Sequence, residues 1–349
     1  MTPPFLWGAA TAGHQVEGNN VAADIWLLEQ VTGTTFVTPS GDACDSLNRW
    51  REDIAIVRAL GLNAYRFSIE WSRIEPAEGQ FSRAWLDHYA AVVAALRAGG
   101  VAPVVTLSHF TSPRWFAAAG GWNASNAPAL FARFAKLVAE RLGGDVGHVV
   151  TFNEPNLPLM GAWTPTPIAD PGRRSLDVML GAAASACGSA HYDVWVYSRG
   201  AALANLLEGH RSARSAWKAA APTTQVGMSL AVPDTQGDAI GIAAYRAHAE
   251  APFIAAARND DFIGVQTYGR LLFAAERTLP PPAGTERTQG AVNIIPPRSA
   301  TRSRIFTKQA GCRCSSPKTA SRSRTTRSAL GTSPQRWPGS IEHAPTACR

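Results

Sequence analysis

The chain of 349 residues has only five cysteines, at no regular spacing, so no disulfide framework is expected and a reducing compartment fits. Cys312 and Cys314 form a C-x-C pair, with only His343 and Cys348 nearby, a weak basis for a zinc site. No run is long and apolar enough to span a membrane. The opening Met-Thr-Pro-Pro-Phe-Leu-Trp-Gly lacks a basic region followed by an apolar one. No signal peptide is expected, and the chain reads as cytoplasmic. Acids are scarce in one stretch: Arg298 to Arg349 holds eleven Lys and Arg but a single acid, Glu342. The rest of the chain then holds 22 basic and 25 acidic residues, so the net charge of +7 belongs to the tail. A basic balance of this kind gives the body no reason to bind nucleic acid, and the tail alone supports only weak, salt-dependent attraction.

What is present is a large apolar inventory. Hydrophobic residues make up 46% of the chain and Trp occurs eleven times, enough for a sizeable core and for flat surfaces that stack on sugars. Strand-like runs end in polar residues: Phe5–Ala12, Ala64–Trp71, Ala102–Phe110, Val149–Asn153, Gln225–Val232 and Asp261–Tyr268. Helical patterns separate them at Ser46–Leu60, Ser82–Ala98, Pro128–Leu142, Ala201–Ala220 and Asp238–Ala257. Ser82 is placed to cap the second helix, and Asn126 to cap the third ahead of Pro128. Repeated strand–helix units imply a parallel sheet with helices outside. Six such units fit an α/β fold of the (β/α)₈ TIM-barrel type, incomplete, over residues 1–295. From about Ile295 the periodicity stops, and residues 296–349 read as an irregular basic tail with sixteen Ser and Thr in its last 52 residues.

In such a barrel the strand ends converge on one mouth. Gln15 and Glu17 follow the first strand; Arg66, Glu70, Trp71 and Arg73 belong to the second. His109 ends the third, Asn153 and Glu154 the fourth, Gln266 and Tyr268 the sixth, while the fifth offers nothing comparable. Each has a plainer reading: His109 as a bonded core histidine, Glu17 and Arg73 as a structural ion pair, Trp7 and Trp71 as core filler. The segment Val149-Val150-Thr151-Phe152-Asn153-Glu154-Pro155-Asn156 stands out, because a buried strand stops at a carboxylate with an amide beside it, and Pro155 blocks continuation.

The wording and order of these segments resemble glycoside hydrolase family 1, the β-glucosidase family. The resemblance runs through Phe5-Leu6-Trp7-Gly8-Ala9-Ala10-Thr11-Ala12-Gly13-His14-Gln15-Val16-Glu17-Gly18 and Tyr65-Arg66-Phe67-Ser68-Ile69-Glu70-Trp71-Ser72-Arg73-Ile74. It continues in Thr106-Leu107-Ser108-His109-Phe110, Thr151-Phe152-Asn153-Glu154-Pro155 and Asp261-Phe262-Ile263-Gly264-Val265-Gln266-Thr267-Tyr268. Phe110 stands where that family usually has Trp, and Gln266-Thr267 where Asn-Tyr is common. The resemblance implies a retaining mechanism acting on small β-glycosides or oligosaccharides, without cofactor or metal. One carboxylic acid protonates the leaving oxygen, and a carboxylate about 5–5.5 Å away attacks the anomeric carbon. It assigns Glu154 as acid/base, Asn153 to the sugar 2-hydroxyl, Gln15 and His109 to other sugar hydroxyls, and Arg66 and Tyr268 to orienting the nucleophile.

The nucleophile of that family lies in Thr-Glu-Asn-Gly at the end of a seventh strand, and this chain has no such sequence. After Tyr268 the acids are Glu276, Glu286 and Glu342, none of them before Asn-Gly. Encoding Cys312–Ser321 as TGC CGG TGC TCG TCA CCG AAA ACG GCA TCG and reading from the third base gives Pro-Val-Leu-Val-Thr-Glu-Asn-Gly-Ile. The Glu codon straddles Pro317 and Lys318. The tail therefore reads as a shifted frame that has lost the nucleophile, and poor solubility and negligible hydrolysis are expected. Two other readings remain: a barrel that binds sugar without cleaving it, and another retaining family on the same fold.

Overall fold

The computed structural model describes residues 5–163, 170–198, 202–275, 277–285 and 313–314. The chain divides into units 1–319 and 320–349, and every described residue lies in the first. The expected alternation is present. Strands β1 (Gly8–Ala10), β2 (Ala64–Ser68), β3 (Ala102–Ser108), β4 (His148–Asn153), β5 (Gln225–Ala231) and β7 (Phe262–Gln266) are neighbours in that order, all parallel. Helices lie between consecutive strands, as parallel crossovers require. The result is the curled arc of an incomplete (β/α)₈ barrel. β1 is shorter than the run Phe5–Ala12, and Trp7 just ahead of it is half exposed rather than core.

A second sheet was not legible in the sequence. β6 (Asp234–Gly237), β8 (Arg270–Phe273) and β9 (Thr278–Leu279) form it in the order β6-β8-β9. A further pair, β10 (Arg313–Cys314), adds to the main sheet beside β7 in parallel register, Arg313 opposite Phe262 and Cys314 opposite Ile263. The side chains of this pair, the C-x-C thiols included, lie outside the described residues, as do Glu276, Glu286 and Glu342.

The core fills the space between sheet and helices. Trp71 is buried and stacks on Phe134 with ring centroids 5.4 Å apart, and it also touches Phe116 and Phe131. Phe131 and Trp122 in turn pack on Phe152 of β4. The helix Leu203–Ala220 packs along Ala127–Leu142 behind β4. Ser82 caps its helix as expected, accepting from the Trp85 amide, whereas Asn126 makes no side-chain cap bond; Pro128 in the first turn needs no N–H partner there. The helical pattern 238–257 divides into Ala239–Ala249 and Ala251–Ala256, with Pro252 just inside the second piece. A helix Asp170–Ala186 stands where no pattern was read.

Candidate active site

The strand ends β2, β3, β4 and β7 bring the chemistry together. Arg66 on β2 is buried; its Nε donates to Thr106 Oγ1 and its Nη2 to Asn153 Oδ1, each at 2.7 Å. Thr106 is on β3 and Asn153 ends β4, so one guanidinium crosses three adjacent strands. From β7, Gln266 Nε2 donates to the same Asn153 oxygen and to Ser229 Oγ of β5, each at 2.8 Å. The Tyr268 hydroxyl donates to Gln266 Oε1 at 2.7 Å. Burial pushes Arg66 down to about 10, while the nearby Tyr268 and Glu154 charges oppose that shift.

Glu154 follows β4 and is buried. A register shift between Val150 and Asn153 interrupts the regular alternation of the strand. Thr151 and Phe152, consecutive residues, both meet the helical layer, Thr151 through His210 and Phe152 through Phe131; Asn153 then meets Arg66. At Glu154 the backbone enters the left-handed region with φ +52°, uncommon for a residue with a side chain. Its amide donates to the Ser229 carbonyl at 2.6 Å, which holds the turn to β5. Asn156 reinforces that turn by a reciprocal pair of bonds to the Ala231 backbone. Burial raises the Glu154 carboxyl to about 7, with Arg66 pulling the other way, and its Oε1 is a buried oxygen without a partner. Such a group is half protonated near neutrality and can give a proton to an incoming oxygen.

His109 follows β3 directly and has a buried Nδ1 without a partner among the described residues, and its ring lies edge-on to Phe110. Burial, then the Arg66 charge, lowers its pKa to about 3, so the ring is neutral and can donate or accept. Gln15 sits on the short turn Gly13–Val16 after β1, exposed, and no side-chain bond links it to the Arg66–Asn153 cluster. Tyr268 is half exposed at the rim.

Other expected residues are structural. Glu17 pairs with Arg73 at 2.8 Å and accepts from Tyr89, and burial raises its carboxyl to about 7. Glu70 is buried and accepts from Ser68, Asn20 and Thr111, which ties β2 to two loops. Sequence reasoning missed Ser229, having found nothing polar at the end of the fifth strand; its two bonds within the site involve residues far along the chain. Among the described residues no group of three His, Cys, Asp or Glu side chains is placed to hold a metal.

Fold and site together define an incomplete (β/α)₈ barrel whose strand ends carry a buried carboxyl group of raised pKa. Comparison with known proteins gives it a family: the model for glycosyl hydrolase family 1 matches residues 2–235, and the chain belongs to that family. It is similar to β-glucosidase A of Thermotoga maritima, 39% identical over 158 residues that make up 43% of this chain and 35% of the relative. It is 33% identical over 256 residues to a β-glucosidase of Agrobacterium sp., covering 70% of this chain and 51% of that protein. A solved structure of β-glucosidase 1317 in its apo form superposes with a TM-score of 0.84 at 39% identity, covering 89% of this chain and 77% of the other. The chain thus spans about half or less of the length of these curated relatives.

Proposed function

We propose that the site is that of a β-glycosidase, β-glucosidase-like, which removes terminal β-linked sugars from small glycosides by the retaining, two-carboxylate route. The observation that carries this reading is Glu154: a carboxyl at a strand end, raised to about 7 by burial, with the Asn153 amide beside it. A general acid needs that tuning, because it must hold a proton near the pH at which it works. Asn153, His109 and Gln15 are assigned to sugar hydroxyls, and Arg66 and Tyr268 to the carboxylate that attacks. The family match excludes the alternative of another retaining family on this fold.

No Thr-Glu-Asn-Gly sequence occurs in the chain to supply the attacking carboxylate. The proposal therefore includes a division at about residue 295, with residues 296–349 as a frame-shifted tail and this chain as a glycosidase unable to form the glycosyl-enzyme. In support, the encoding chosen above would place Val-Leu-Val, a strand-like run, from the codon of Arg313 onward, and Arg313 and Cys314 pair beside β7. No helix of the described residues is long and apolar enough to cross a membrane; a cytoplasmic location is part of the proposal.

The test is hydrolysis of an aryl β-glucoside by the full chain, with calorimetric titration of glucose and gluconolactone. Background turnover is expected, and turnover matching an intact relative would sink the assignment of a missing nucleophile. Binding without turnover would favour the second reading, a barrel that still holds sugar.

A further inference from the structure

Gln266 ends β7. Its amide is the centre of a chain of hydrogen bonds whose polarity can be worked out from one end. A guanidinium only donates. The Asn153 atom 2.7 Å from Arg66 Nη2 is therefore the carbonyl oxygen. Gln266 approaches the same oxygen at 2.8 Å and must offer its NH₂ group there, whose other proton goes to Ser229 Oγ. Its carbonyl is thereby turned to Tyr268, whose hydroxyl donates at 2.7 Å. Two donors occupy the Asn153 oxygen, and the Asn153 NH₂ group has no acceptor among the described residues.

We infer that Gln266 is a positioning residue: it locks the Asn153 amide so that its NH₂ group is left for a ligand. Next to Glu154 the mouth then offers N–H donors from Asn153. A ligand must bring an acceptor to Asn153. On the glycosidase reading above, and only for this step, that acceptor is the sugar hydroxyl oxygen adjacent to the bond Glu154 protonates. An amide with the opposite orientation would present a carbonyl there and select a donor instead.

Selective ¹⁵N labelling of Asn and Gln in the full chain tests this through hydrogen exchange of the side-chain NH₂ groups, assigned with Asn153→Asp and Gln266→Met. The Gln266 protons, both bonded, are expected to exchange at least ~10-fold more slowly than those of Asn153. In Gln266→Met, similar in length but without the amide, the Asn153 resonances are expected to shift. An Asn153 NH₂ as protected as that of Gln266, or one unmoved by Gln266→Met, overturns the inference. Where the Met variant does not fold, Gln266→Glu assigns the Gln266 signals instead, and the wild-type comparison decides the matter. Neither readout needs turnover or bound sugar, so failure here leaves the glycosidase reading intact, and failure to bind sugar leaves this inference intact.

Discussion

Thr151 and His210 share a hydrogen bond of 2.7 Å that ties the strand carrying Asn153 and Glu154 to the helix behind it. The other ring nitrogen of His210 lies 3.1 Å from Asp260, just before β7, and all three side chains are buried. One imidazole therefore fastens β4 and the lead-in to β7 to one helix. Because Thr151 borders the register shift that turns Asn153 toward Arg66, the fastening sits directly behind the site.

His210→Leu is expected to destabilise the fold by about 3 kcal/mol, since it leaves the Thr151 hydroxyl and the Asp260 carboxyl without the imidazole in a dry interior. Urea unfolding of the two proteins measures it. A loss under ~1 kcal/mol would mean that Arg214, 3.3 Å from Asp260, suffices to satisfy that carboxyl.

Glu154 makes the fold less stable as pH rises. Its carboxyl goes from the ordinary 4.5 to about 7 in the folded chain, so folding favours the protonated form. Its favourable contribution is complete below pH 4.5, fades as pH climbs toward 7, and is gone above that. A shift of this size corresponds to roughly 3 kcal/mol. Glu154→Gln, neutral at every pH, is expected to be more stable than wild type at pH 8 by a few kcal/mol and nearly equal to it at pH 4. Unfolding curves at those two pH values check this, and an equal difference at both would refute the burial argument. Glu17 and Asp24, raised to about 7 and about 8 chiefly by burial, keep the same sign of pH dependence in both proteins.

The barrel arc was legible because each inner strand is an apolar run with a polar end, and that pattern needs no knowledge of partners. Arg66, Asn153 and Glu154 could be placed for the same reason. Ser229 could not, since a serine inside an apolar strand acquires meaning only when Gln266 arrives from 37 residues later. The β6-β8-β9 sheet was hidden by shortness: strands of two to four residues carry no usable alternation. Trp7 was read as possible core filler because it is large and apolar, but it precedes β1, is half exposed and packs against Phe5.

Gly227 lies in β5, where the sheet leaves no space for a side chain. A Cβ there would stand 2.1 Å from the Phe262 carbonyl oxygen of β7. Backbone on the neighbouring strand cannot rotate away as a side-chain tip can. Gly227→Ala is expected to cost roughly 1–3 kcal/mol and to loosen the β5–β7 pair that places Ser229 against Gln266. Hydrogen exchange of the β7 amides measures the loosening, and unchanged protection would show that the pair absorbs the methyl without parting.

Translation in the proposed second frame tests the proposed loss of the attacking carboxylate most directly. β10 pairs Cys314 with Ile263, and three residues beyond Ile263 comes Gln266, at the mouth. Three residues beyond Cys314 comes Pro317, whose codon in the encoding above would share a base with the shifted-frame Glu. A strand continued in that frame would thus bring its carboxylate level with Gln266, beside the Arg66–Asn153 pair. Sequencing the gene across the codons of Ile295 to Ser321 is expected to show that second frame. A chain translated in it should hydrolyse aryl β-glucosides ~10⁴-fold faster than the present one, the scale on which a catalytic carboxylate contributes. Glu154→Gln in the corrected chain should abolish most of that gain for poor leaving groups, because protonation of the departing oxygen then fails. A corrected chain no faster than the original, though folded, would show that the shifted-frame Glu is not the attacking group.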